Sequence, residues 1–152
     1  MTAVTCFPAL ANPGATVLIL GSMPGVASLA AQQSYAHPRN HFWPIMADIA
    51  GFDPAALYAA RVAALTRSGI AVWDVLQSCV RPGSQDSAIQ AGTRVPNDFA
   101  AFFAAHPWHH ACVFQRCRGA EQLPQTCVAD PGYNGSSIYT PAIHQPCTCR
   151  AV

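Results

Sequence analysis

Val17, Leu18, Ile19 and Leu20 form an unbroken apolar run that ends at the segment Gly21-Ser22-Met23-Pro24-Gly25. A run without polar alternation suits a parallel strand covered on both faces, and predicts one over 15–20. Residues 26–33 (VASLAAQQ) allow a turn or two of helix, and PIMADIAG carries a helix that stops at Gly51. The clearest helical stretch is DPAALYAARVAALTRSG, with Asp53 as N-cap, Pro54 at the first position and Gly69 as the stop. GIAVWDVL (69–76) repeats the buried-strand pattern, and QSCVRPGSQDSAI (77–89) reads as a polar loop. VPNDFAAFFAAHP predicts another helix opening near Asn97 or Asp98, and HHACVF predicts a strand over 109–114. Strands that alternate with helices predict an α/β fold with parallel strands.

After Phe114 the pattern stops. Residues 115–152 show neither helical period nor strand alternation, and a structureless stretch of that length is uncommon inside a compact domain. Composition sharpens the contrast. With 152 residues, 51% hydrophobic and 10% charged, the chain is globular and of one-domain size. Its net charge of +1 advertises no basic field, although all eight basic residues are arginine, a usage that fits GC-rich coding. No apolar run approaches the ~18 residues of a membrane span, and the N-terminus lacks a basic start followed by an apolar stretch, so a cytosolic, bacterial setting is expected. Of seven cysteines, Cys112, Cys117, Cys127, Cys147 and Cys149 crowd into the last 41 residues. Their spacing matches no paired zinc hooks, so no metal or other cofactor is assigned.

One segment is too rich in chemistry for a core alone. YAHPRNHFWPIM (35–46) holds three aromatics, two histidines, two prolines, an arginine and an asparagine. Together with LILGSMPG (18–25), GIAVWDVLQSCVRPGSQDSAI (69–89) and VPNDF (95–99), it resembles the uracil-DNA glycosylase superfamily, specifically its hypoxanthine-DNA glycosylase branch. The resemblance covers the first 110 residues or so. It implies a three-layer α/β/α sandwich, a parallel four-stranded sheet between helices, with a base pocket at the carboxyl ends of the strands. It also implies a monomeric DNA repair enzyme that hydrolyses the N-glycosidic bond of hypoxanthine, and of uracil as a second substrate, without a lyase step.

Residue roles follow from that resemblance and from what base excision demands. The flipped base needs an aromatic to stack on, a role given to Phe42, with Trp43 assigned to the core and Tyr35 left open between the two. Gly21, Ser22, Met23, Pro24 and Gly25 would line the pocket, the glycines for close backbone approach. Ser22 and Met23 occupy positions where the superfamily usually carries a water-directing carboxylate or amide, so the catalytic role passes to Asn40. A neutral amide orients a water but is a weak general base, and Asn40 is also well placed to cap the following helix. Arg39, Arg81, Ser84 and Asp74 are the DNA-binding candidates, with Asp74 at the end of the second strand equally able to cap a turn.

The family continues with an FNGA-like stretch and closes on a phosphate-gripping motif similar to LPSTSPAH. Neither is present, yet both can be encoded one base out of frame. Codons permitted for Phe114–Cys117 spell FNGA in the shifted frame, and those for 138–149 spell SIRLPSTSPAHA. The expectation is a frameshift near 111–114, leaving an incomplete glycosylase-like domain over 1–111, an out-of-frame tail over 112–152, and a poorly folded, inactive product without the last strand and helix. Two alternatives stand beside it. One is a Cys/His-rich metal-binding or interaction module with a genuine tail; the other is a small-molecule hydrolase using His37 or His41, which lacks a nucleophile elbow.

Overall fold

The computed structural model describes residues 3–106 and the strand at 111–114. In chain order these residues form β1 (Ala3–Thr5), β2 (Val17–Gly21), α1 (Val26–Ala31), α2 (Phe42–Ala50), α3 (Tyr58–Arg67), β3 (Ile70–Asp74), β4 (Leu76–Val80), β5 (Val95–Pro96), α4 (Phe99–Ala105) and β6 (Ala111–Phe114). The central sheet has the order β3-β2-β6, all parallel, with Val17 opposite Ile70 on one side and Ala111 on the other.

Alternation along β2 separates two cores. Ile19 joins Ile70 and Val72 in packing against Phe42, Trp43 and Met46 of α2 and Leu65 of α3. Leu18, Leu20 and Ala71 turn the other way, onto Phe102 of α4. Helices thus cover both faces, and the expected three-layer α/β/α arrangement is the one observed. The outer edge of β3 is shielded by Leu10, which exchanges backbone hydrogen bonds of 2.9 Å with Val72 in both directions.

Three local departures from the sequence pattern have identifiable causes. Leu76–Val80 is a strand, where a loop was expected from residue 77; it pairs antiparallel with β1 and β5 in a second small sheet. Its partners come from 73 residues or more upstream and 17 or more downstream, beyond the reach of local periodicity. Helix α3 starts at Tyr58, five residues after Asp53. Asp53 does accept the Ala55 N–H at 2.8 Å, but as an isolated turn closed by Ala56 N–H to Asp53 O, and Leu57 is 82% exposed between that turn and the helix. Helix α2 begins at Phe42, two residues ahead of PIMADIAG. Asp98 caps α4 as expected, accepting the Ala101 N–H at 2.9 Å.

The expected tail, its cysteines and the boundary at 111–112 fall almost wholly outside the described residues. Among those residues no helix is long and apolar enough to cross a membrane.

Candidate active site

Where β2 and β3 end, a cleft of about 610 Å³ opens between the loop after each strand and the segment before α2. Its floor is the 21–25 loop and Asp74; one wall carries Tyr35, His37 and Asn40, and the other Ser84 to Ser87. Parallel strands point their carboxyl ends at such crevices, where the chain must turn and side chains converge.

Gly21 is there because of Asp74. A Cβ at Gly21 would lie 2.6 Å from Asp74 Oδ1 and 3.1 Å from the Tyr35 hydroxyl, so only glycine lets both groups close over the strand end. Burial pushes the Asp74 carboxyl up to about 6, the nearby Asp86 carboxylate adds to the rise, and the Arg81 guanidinium opposes it. Its backbone carbonyl is fixed by Asn97 Nδ2 at 2.8 Å. Asp74 is therefore a cleft group whose charge changes near neutral pH, more than the turn cap the sequence also allowed.

The aromatic ring of this segment that lines the cleft is Tyr35. Phe42 is only 2% exposed, sits in the core beneath α2, and does not line the cleft. Its ring instead stacks beneath Tyr35, centroids 3.9 Å apart and planes 13° off parallel. Being the first residue of α2, Phe42 points inward with the helix's apolar stripe, a direction set by the register of the helix on the sheet. Tyr35 is held by its neighbours in the left-handed region, at φ +56°. Ser34 donates its N–H to Tyr58 Oη at 3.0 Å and its carbonyl accepts from Trp43 Nε1 at 2.9 Å, while Ala36 N–H reaches Ser28 Oγ at 3.1 Å. These three bonds fix the backbone on either side of Tyr35 and so hold its conformation.

Asn40 lines the cleft, and its Oδ1 accepts the Phe42 N–H at 2.8 Å. It thus closes a turn just ahead of α2, one residue before the N-cap His41, as well as lining the cleft; one lone pair of the oxygen and both N–H groups remain for other partners. His37, named from the sequence only as a candidate for the small-molecule hydrolase alternative, also lines the cleft, and its Nδ1 accepts the Arg39 N–H at 3.1 Å. Arg39 itself is exposed on the same loop.

Arg81 is not a free phosphate contact. It is 5% exposed and spends its guanidinium inside the protein, on the Pro24 carbonyl, on Gly83 O at 3.0 Å and on Asp86 Oδ1 at 3.4 Å. Asp86 completes the tie by accepting the Ser22 hydroxyl through Oδ2 at 2.5 Å. Ser84 stays exposed at the cleft edge and accepts the Val26 N–H at 2.8 Å, close enough that a Cβ on Gly25 would lie 3.3 Å from its Oγ. The 81–86 loop therefore grips the 22–26 loop at residues 22, 24 and 26. Met23 faces the cleft while packing on Leu76, Cys79 and Ile89. Asp86 went unassigned in the sequence, although an acid five residues after an arginine in a polar loop was a signal of pairing.

No cluster of three or more metal-binding side chains occurs among the described residues. The comparisons with known proteins agree with this geometry. Residues 8–115 match the model of the uracil DNA glycosylase superfamily. The chain belongs to that superfamily. A hypoxanthine DNA glycosylase of Methanosarcina barkeri is 39% identical over 85 residues, spanning 55% of this chain and 54% of that relative's length. One from Methanosarcina acetivorans is 33% identical over 119 residues, covering 78% of this chain and 74% of the relative. The solution NMR structure of a candidate uracil DNA glycosylase, also from M. acetivorans, has a TM-score of 0.66 at 31% identity, covering 79% of this chain and 74% of that one. Every cleft residue named above falls within the matched span, which ends one residue after β6.

Proposed function

We propose that this chain is a DNA repair glycosylase that hydrolyses the N-glycosidic bond of deaminated bases, hypoxanthine first and uracil second. The observation that carries the reading is the cleft at the ends of β2 and β3, with one aromatic wall and polar groups at floor and rim. Its size falls within the ~300–1,000 Å³ of small-ligand sites. A flipped base stacks on Tyr35, which Phe42 backs from the core, at a gain of about 1–3 kcal/mol per stacked base. The sugar passes through an oxocarbenium-like state, so a water must stand on the face away from the base. Asn40 orients that water with the lone pair and N–H groups left over from its bond to the Phe42 N–H. The departing base leaves as an anion, stabilised by hydrogen-bond donors at the rim. Arg39 and Ser84 flank the opening and are the contacts assigned to the DNA backbone. With no lysine in the chain, no lysine Schiff base forms and the reading is of a hydrolase without a lyase step, working as a monomer on DNA in the cytosol.

The proposal includes the tail. A frameshift near 111–114 accounts for a family match that ends at residue 115 and for two family motifs encoded one base out of register beyond it. The chain as written then carries the base cleft without the phosphate-gripping motif. Oligonucleotides with a single inosine or uracil test both parts, using this chain beside a frame-restored one. The restored chain is expected to release hypoxanthine, the chain as written little or none, and Asn40→Ala in the restored chain should abolish release while its melting curve is kept. Full turnover by the chain as written would overturn the frameshift; no release by the restored chain would overturn the glycosylase reading.

A further inference from the structure

The Ser22 hydroxyl has one proton, and its direction is fixed. Its partner, Asp86 Oδ2, belongs to a carboxylate, which only accepts, so Ser22 donates and turns its lone pairs elsewhere. Asp86 is held in place on its other oxygen by the buried Arg81, whose Nη2 and Nε donate to Pro24 O and Gly83 O. Ser22 and Asp86 both line the cleft, as does Asp74 beside Gly21. The polar atoms that Ser22 and Asp86 bring to the cleft are therefore hydrogen-bond acceptors.

We propose that the Ser22–Asp86 pair is the specificity determinant of this cleft: Asp86 locks Ser22 Oγ as an acceptor that selects bases carrying a ring N–H. The proposal rests on the glycosylase reading and adds to it the atom that tells a deaminated base from its parent. Deamination converts the adenine ring nitrogen N1, an acceptor, into the N–H donor of hypoxanthine; cytosine N3 becomes the N–H of uracil in the same way. An acceptor at that position is satisfied by the deaminated base and set lone pair against lone pair by the normal one. Leaving a buried polar atom unpaired is the strongest means a site has of rejecting a near-isostere. Asp86 acts through Ser22 and is a positioning residue.

Residues 7–87 build the cleft, so binding of free bases is measured on the full chain as it stands. Isothermal titration calorimetry with 9-methylhypoxanthine, 1,9-dimethylhypoxanthine and 9-methyladenine, in which a methyl stands for the sugar so that N1 alone can carry a ring N–H, should show the first bound about tenfold or more tighter than either of the others. Ser22→Ala should bring that preference close to unity. Asp86→Asn keeps both side-chain volumes but lets the amide donate to Ser22, freeing the hydroxyl proton to turn into the cleft; the preference over adenine should collapse or reverse. A merely structural role would weaken all three ligands together and leave their ratios alone. The inference is overturned by equal affinities in the parent chain, by no binding of any base, or by an unchanged preference in Ser22→Ala, which stands even where Asp86→Asn fails to fold. Base discrimination without release from inosine-containing DNA by the frame-restored chain would count against the glycosylase reading and leave the selection device intact.

Discussion

A single carboxyl group at the cleft, Asp74, makes the stability of this protein depend on pH. Its folded-state value near 6 lies above the ordinary 3.8, because burial and the Asp86 carboxylate penalise the charged form. The folded protein therefore holds the Asp74 proton more tightly than the unfolded chain does. Stability from this group is full below about pH 4 and is lost as pH rises through about 6. Asp74→Asn removes the penalty, so the variant should melt higher than the parent at pH 7.5, by an amount worth roughly 1–3 kcal/mol, and the advantage should vanish by pH 4. Thermal melts across that range check the sign. A gap that widened toward low pH would show the carboxylate to be stabilised, contrary to its surroundings. The carboxyl end of a buried strand marked Asp74 in the sequence. What it does there depends on Asp86, twelve residues on, and on the absence of a side chain at Gly21, and these contacts exist only after folding.

At the scale of elements, the segment before α2 shows how adjacent aromatics are sorted. Tyr35, Phe42 and Trp43 are equally able to stack on a base when read as letters. Helix register decides: Phe42 and Trp43 open α2 and point into the sheet, whereas Tyr35 lies in the preceding turn and faces the cleft. The two rings should fail differently. Phe42→Ala empties a core position and should cost about 3–5 kcal/mol of stability. Tyr35→Ala loses a half-buried ring stacked on Phe42 and should melt below the parent but above Phe42→Ala, while weakening hypoxanthine binding by the ~1–3 kcal/mol of a lost stack. Calorimetric binding and melting of the pair check this, and the reverse pattern would return the stacking role to Phe42. Local patterns served well for β2, α2 and the Asp98 cap of α4, which depend on neighbours in sequence. They failed for β4 and for the start of α3, where a distant partner strand and an isolated Asx turn override local preference.

For the whole molecule, the parallel sheet described here ends at β6, whose pairing partner is β2 on one side. A parallel sheet is stable when both faces are covered and its edges are closed or shielded, as Leu10 shields β3. On the proposed frameshift, a frame-restored chain carries the remaining family sequence beyond residue 114 in place of the present tail. The restored chain is expected to melt at least 5–10 °C above the chain as written, since each kcal/mol is worth about 2–4 °C in a domain of this size. Differential scanning calorimetry of the two chains checks this; coincident melts would mean that the sequence after β6 contributes nothing to the fold.

The sequence by itself determined the layer order, the glycine-rich turn after the first buried strand and the family, because apolar runs, caps and a multi-part motif are local properties written in consecutive residues. Tertiary structure alone decided that Tyr35 and not Phe42 faces the cleft, that Arg81 is a buried tie, and that Asp86 commands Ser22. Each of these depends on which side chains meet across strand ends 12 to 64 residues apart, and on whether water is left between them. Charge and hydrogen-bond direction at such meeting points are set by burial and by partners, neither of which a linear pattern contains.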